Sequence, residues 1–249
     1  MPLTNDTRAA IRTYLEREVR RYIRQTLEAG RVKPFHDRLM PPLAEVPYSE
    51  RSFSTRLGTW FEIIALNVAR QFHPFAVRNH LVQGRIRPAA EAALTAILED
   101  LDQGRPRRRP NRETDIQEVL GVQGPGGADR QVRSDLFVRK ADGMELYFEM
   151  KTPDPNKGQC KTMKQNILLI SALRQENLAA AFGAAAYNPF GEGNAYRNRY
   201  APQFLDVGRD LLIGSSFWRT IGDEFTYEEV LVVAEEVGRA TEQDRNRVP

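Results

Sequence analysis

Asp135, Glu149 and Lys151 are the residues whose types and spacing best suit chemistry. Asp135 stands in Ser134-Asp135-Leu136-Phe137-Val138, and beyond Ala141-Asp142-Gly143 comes Leu146-Tyr147-Phe148-Glu149-Met150-Lys151. Both flanks are aromatic, aliphatic or β-branched and the residues between them are turn formers, so the spacing predicts a β-hairpin. Side chains alternate along a strand, which puts Glu149 and Lys151 on one face and Phe148 and Met150 on the other. Two acids and one amine then converge. The carboxylates offer hard oxygen ligands of the kind Mg²⁺ takes, one or two of them alongside waters and substrate phosphate oxygens. The Lys151 ammonium beside them can orient or help deprotonate an attacking water and offset charge growing on a phosphate. The chemistry implied is metal-dependent hydrolysis of phosphodiesters.

The plainer reading of Glu149-x-Lys151 is a solvent-facing pair on a strand, worth about a few tenths of a kcal/mol. The placement of lysine argues for more. The chain has six lysines among 36 basic residues, five of them between Lys140 and Lys164, and only Lys151 follows an acid by two positions.

Other elements must hold the hairpin. Ile11, Leu15, Tyr22, Ile23 and Leu27 recur at helical spacing over Arg8 to Leu27, with Gly30 as a stop and an arginine-rich opposite face. Lys33 to Tyr48 holds four prolines and reads as a linker. From Ser52 to Arg70 a helix carries Leu57, Phe61, Ile64 and Val68 as an apolar stripe, with Glu62 at its edge. Another helix spans Pro88 to Leu101. A rigid turn over Thr152 to Gly158 leads into a helix from Gln159 to Arg174 that turns Met163, Ile167, Ile170 and Leu173 inward. Leu178 to Tyr187 reads as a buried strand, and Asp210 to Ser215 as a strand or short helix. Phe217 and Trp218 are core or dimer contacts. Thr226 and Glu229 form a capping box, with Phe225 and Val230 as a hydrophobic staple, opening a helix through Val237. The organisation expected is an N-terminal helical extension and linker over 1–48, a nuclease domain over 49–240, and a polar tail over 241–249.

Two segments are candidates for DNA contact. Residues 105 to 112 hold five arginines and two prolines, an exposed loop whose Arg107, Arg108 and Arg109 would neutralise phosphates, each contributing about 0.9 to the salt slope of binding. Asn156, Lys157, Lys161, Lys164 and Gln165 gather at the start of the helix after the hairpin, whose positive N-terminal end would face the scissile phosphate. Whether they read bases or phosphates stays open. The loop from Gly191 to Tyr200, with Asn194, Tyr196, Arg197 and Arg199, suits DNA and equally suits an ordinary surface.

Asp135, Glu149 and Lys151 fit the PD-(D/E)xK nuclease pattern. The run FEMKTPDPNKGQCKTMKQ, with AAYNPFGEG and SSFWRTIGDEFTYEEVL downstream, resembles the TdeIII-type type II restriction endonucleases over roughly residues 50 to 240. Ser134 stands in place of the pattern's proline, which leaves the metal chemistry intact because proline is not a ligand. The resemblance implies an α/β, restriction-endonuclease-like core, a mixed central sheet flanked by helices, with an N-terminal helical extension. It implies Mg²⁺-dependent cleavage of double-stranded DNA at a short specific site by a homodimer, a GGNCC-like target, and a cognate DNA methyltransferase in the same system. An early helix in such folds often sends a glutamate toward the metal, a role the resemblance gives to Glu62.

Composition sets outer bounds. A chain of 249 residues, 41% hydrophobic and 28% charged, has the length and balance of a globular protein able to bury a core of ordinary size. A net charge of only +3 makes DNA binding a matter of charge placement rather than total charge. No apolar run approaches the ~18 residues of a membrane span, and the N-terminus has no signal-peptide core. The lone Cys160 excludes an intramolecular disulfide, and His36, His73 and His80 have no zinc spacing. A cytoplasmic location is the expectation. Two other classes share these residues: a structure-specific DNA repair or recombination nuclease, and a non-catalytic DNA-binding module on the same fold.

Overall fold

The computed structural model describes residues 2–28, 50–104, 108–122, 124–174 and 178–245. The expected linker at Lys33 to Tyr48, and Arg107, lie outside the described residues. In chain order the elements are α1 (Asn5–Glu28), α2 (Glu50–Phe72), β1 (Phe75–Ile86), α3 (Pro88–Asp102), α4 (Arg112–Gly121), β2 (Ala128–Arg139), β3 (Glu145–Met150), α5 (Lys157–Leu173), β4 (Ala179–Ala185), α6 (Ala201–Phe204), β5 (Leu211–Ile213), α7 (Ser215–Ile221) and α8 (Thr226–Arg245).

The strands form one sheet in the order β1-β2-β3-β4-β5. β1, β2 and β3 are antiparallel neighbours, while β3, β4 and β5 run parallel, so the sheet is mixed as expected. The β2–β3 hairpin closes at Ala141-Asp142-Gly143. Asp142 Oδ1 accepts from the Met144 amide, and Gly143, at φ 84, takes the left-handed conformation that glycine adopts without strain. α5 is the crossover that returns the chain to β4 beside β3.

Helices cover both faces. On one, Ile11, Ile64, Val68, Trp218 and Val233 pack with Leu136, Val138, Phe148 and Met150 of the sheet. On the other, Leu98, Val119, Ile167 and Phe204 pack with Phe137 and Tyr147. Each such fully buried apolar side chain is worth roughly 1.5–3 kcal/mol. The alternation of β3 decides which groups face which layer: Leu146, Phe148 and Met150 go to the α2 side and Tyr147 to the α5 side. Glu149 and Lys151 follow Tyr147. α1 contributes Ile11 and Leu15 to the same core as α2 and α8.

Some elements depart from the sequence expectations. β1 is a 12-residue strand of which only Ala76, Val82 and Ile86 are buried, so no clean alternation announces it. α4 rises directly out of the arginine run, capped by the Asn111 side chain accepting from the Thr114 amide. The capping box at α8 is not formed. Glu229 turns away to accept from the Leu3 amide at 2.6 Å and to pair with Arg8, which ties α8 to the start of α1. Thr226 Oγ1 bonds Asp223 instead, and Phe225 is exposed, so it cannot staple against the buried Val230. α8 runs on to Arg245 rather than ending near Val237. No helix among the described residues is long and apolar enough to cross a membrane.

Candidate active site

Asp135 and Glu149 meet where the β2–β3 ladder opens. Backbone pairing reaches Leu136↔Phe148 and side chains carry it further. The buried Ser134 Oγ accepts from the Phe148 amide at 3.1 Å and donates to the Leu136 carbonyl at 2.8 Å. Asp135 Oδ2 accepts from the Met150 amide at 2.8 Å. Ser134 thus holds the diverging strand through a hydroxyl that proline lacks. On the other flank, Arg78↔Leu136 and His80↔Ser134 pair, but the register passes over Asn79, which faces Asp135 at φ 55. Asparagine is among the few residues that tolerate this conformation.

Lys151 completes the group. Its Nζ lies 2.5 Å from Glu149 Oε1 and 3.6 Å from Asp135 Oδ2, and the side chains of Lys151, Glu149 and Asp135 keep 24%, 11% and 21% of their exposure. From α5, Asn166 donates Nδ2 to Glu149 Oε2 at 3.1 Å. Sequence reasoning missed Asn166, although the signal was present: it lies three residues after Met163 and four before Ile170, on the inward face of the helix. Gly183 lets that helix come close. It is the register partner of Glu149, and a Cβ there would lie 2.7 Å from Met163 Sδ and 3.2 Å from Leu211 Cδ1.

Burial raises the Glu149 carboxyl above its ordinary value and the Asp135 charge raises it further, against the opposing pull of Lys151 and Asn166. Burial pulls the Lys151 ammonium down, but its hydrogen bond to Glu149 and the charges of Glu149 and Asp135 leave its pKa raised. The pair of acids is short of positive charge. Two adjacent carboxylates open to solvent on one side are the donor set that a hard divalent cation accepts, with waters and phosphate oxygens filling the rest of its shell. No group of three or more His, Cys, Asp or Glu able to hold a metal occurs among the described residues.

The other candidate residues are placed as follows. Glu62, expected as a third carboxylate, is taken by Arg78, whose Nε is 3.1 Å from Oε2 and whose Nη2 contacts the same oxygen. Arg78 is the register partner of Leu136, which faces α2, whereas Asp135 and Glu149 project toward α5, so Glu62 approaches the sheet from the opposite layer. Lys164, expected at the DNA surface, is wholly buried with its Nζ 2.7 Å from both Asp115 and Asp210. Its helical position turns it into the core. Arg108 is likewise folded back, at 2.9 Å from Asp115 and 3.0 Å from Glu118, while Arg109 is exposed. Lys157 and Lys161 both grip Asp102 at 2.7 Å, and these hydrogen bonds draw its pKa down to about 2. Asn156 is the N-cap of α5, in a capping box with Gln159, and Gln165 is exposed.

Residues 3–238 match the family model described as type II restriction endonuclease, HinfI. The type II restriction enzyme HgiEI of Herpetosiphon aurantiacus is 34% identical over 238 residues, covering 91% of this chain and 87% of that protein. Two further type II restriction enzymes of that organism are similar: HgiBI is 35% identical over 216 residues, 85% and 79% of the respective chains. HgiCII is 34% identical over 226 residues, 89% and 83%.

Proposed function

The chain belongs to the HinfI family of type II restriction endonucleases, and on that premise we propose that Asp135, Glu149 and Lys151 are a PD-(D/E)xK catalytic centre acting with Mg²⁺. The observation that supports this most is Lys151 Nζ held 2.5 Å from Glu149 Oε1 and beside Asp135, in a cluster left partly open to solvent.

Asp135 and Glu149 would hold the Mg²⁺, which would supply Lewis-acid polarisation of a phosphate oxygen and a more acidic water. Asn166 fixes the Glu149 carboxylate through Oε2. The Met150 amide does the same for Asp135. Lys151 hydrogen-bonds the attacking water and balances the negative charge that develops on the phosphate. In-line attack leaves 5′-phosphate and 3′-hydroxyl ends. Two copies related by a twofold axis, each cutting one strand, suit a short palindromic site, GGNCC-like by the sequence resemblance. A cognate methyltransferase would protect the host's own DNA in the cytoplasm.

Digestion of unmethylated plasmid with Mg²⁺, beside EDTA and Lys151→Ala, tests this reading. Discrete fragments that EDTA and the substitution both abolish are the expected result. A smear, uncut DNA, or full cleavage by the variant counts against it.

A further inference from the structure

We propose that Arg197 and Arg199, held by Asn198 against the turn that follows Lys151, form the phosphate clamp that seats the duplex beside Lys151. This rests on the reading of Asp135, Glu149 and Lys151 as the nuclease centre.

The three lysines of α5, and Arg108 ahead of α4, are already engaged. Lys157 and Lys161 grip Asp102, Lys164 is buried between Asp115 and Asp210, and Arg108 is bound to Asp115 and Glu118. Arg197 and Arg199 are different. Both are exposed, and neither enters an ion pair among the described residues; Arg199 lies over the Tyr200 ring at 5.4 Å. Cations with no acidic partner are the ones left for an anionic ligand.

Their placement is fixed by the residues between them. Tyr196 Oη donates to the Pro153 carbonyl at 2.8 Å. The buried Asn198 donates Nδ2 to Asp154 Oδ1 at 2.5 Å and to the Pro155 carbonyl at 3.0 Å, while its Oδ1 accepts from the amides of Tyr200 and Ala201. Pro153, Asp154 and Pro155 follow Lys151 by two to four residues, a reach of at most about 14 Å of extended chain. Tyr196 and Asn198 point inward, and the arginines between and after them point out. The preceding residues are also ordered: Asn188 Nδ2 donates to the Asn194 carbonyl at 2.9 Å, Asn194 Nδ2 donates to the Phe190 carbonyl at 2.8 Å, and the Phe190 ring meets the Tyr196 ring edge-on at 6.0 Å. A loop braced in this way presents its two arginines without a backbone-ordering cost on binding. Guanidinium groups match phosphate oxygens in a bidentate fashion.

The test is the salt dependence of binding to a fluorescently labelled mixed-sequence duplex in EDTA, so that cleavage plays no part. Arg197→Ala/Arg199→Ala is expected to make the slope of log K against log salt shallower by about 1.8, or about 0.9 for each phosphate no longer neutralised. Arg197→Lys/Arg199→Lys, which keeps the charge, is expected to restore the slope, and Lys157→Ala/Lys161→Ala to leave it unchanged. A slope untouched by the arginine-to-alanine pair overturns the clamp while leaving the nuclease reading standing. A wild-type protein without salt-dependent binding also overturns the clamp, and the plasmid digestion with Mg²⁺ decides the nuclease reading separately, which tells the two failures apart.

Discussion

α5 serves two charge clusters from residues two positions apart. Asn166 reaches the Asp135–Glu149–Lys151 group, and Lys164 reaches Asp115 and Asp210. The second cluster is closed. Lys164 and Asp210 are fully buried, and all four carboxylate oxygens are satisfied: those of Asp115 by Arg108, Lys164 and the Asn111 amide, those of Asp210 by Arg112, Lys164 and the Asp206 amide. The first cluster is open and short of positive charge, with one lysine against two acids and Glu149 pushed above its ordinary pKa by burial and by Asp135. Complete pairing without access suits a group that holds the fold, and incomplete pairing with access suits the role proposed for Asp135, Glu149 and Lys151.

Substitutions should separate the clusters. Lys164→Met leaves two buried carboxylates without their shared cation and should cost about 3–5 kcal/mol of stability, read by chemical denaturation. A near-zero change there would erase the distinction. Lys151→Met should show the reverse pattern: a cleavage rate lower by about 10²–10³-fold, or ~2.7–4 kcal/mol of barrier, with an unfolding midpoint close to the wild type. If the fold fails before the chemistry does, the open cluster is structural after all. Asn166→Ala should weaken Mg²⁺ affinity by about 10- to 100-fold by freeing the Glu149 carboxylate, measured by titrating the metal against cleavage or by calorimetry. Unchanged affinity would place Asn166 outside the site.

The smallest effect concerns Asp102, paired with Lys157 and Lys161 at the start of α5. Its folded pKa of about 2 lies below the ordinary 3.8, so the stability it contributes is present above the ordinary value and lost as pH falls through about 2. Carboxyl NMR should place its midpoint near 2 and return it toward 3.8 in Lys157→Ala/Lys161→Ala. A wild-type midpoint at 3.8 would mean that these lysines are free for DNA.

The hairpin and the convergence of Asp135, Glu149 and Lys151 were legible because period-two alternation and an Asp-Gly turn fix which side chains share a face. The apolar stripes of α2 and α5 were legible from helical periodicity, and the alanine-rich strand β4 only from its place after the hairpin and helix. What stayed hidden depended on partners in elements with no clear period. Arg78 lies in the half-exposed β1, so nothing in the residue pattern hinted that Glu62 would be claimed from that side. Arg108 looked free because α4, which supplies Asp115 and Glu118, was not foreseen. Lys164 and Asn166 lie two residues apart on one helix, and its rotation, set partly by the space at Gly183, decides which is core and which reaches the site. The sequence resemblance pointed to the TdeIII type and the family match is to HinfI; both descriptions are of type II restriction endonucleases.

Glu149, Lys151, Asn166 and Gly183 all fall within the single β3–α5–β4 unit, and Asp135 comes from the strand just before it. The contacts that assemble the site therefore all lie within a segment of about 50 residues, so each loop to be closed is of moderate length. The outer layer built from α1, α7 and α8 stands apart from that unit in sequence. That layer can therefore be altered without touching the one uninterrupted segment that carries the proposed catalytic residues.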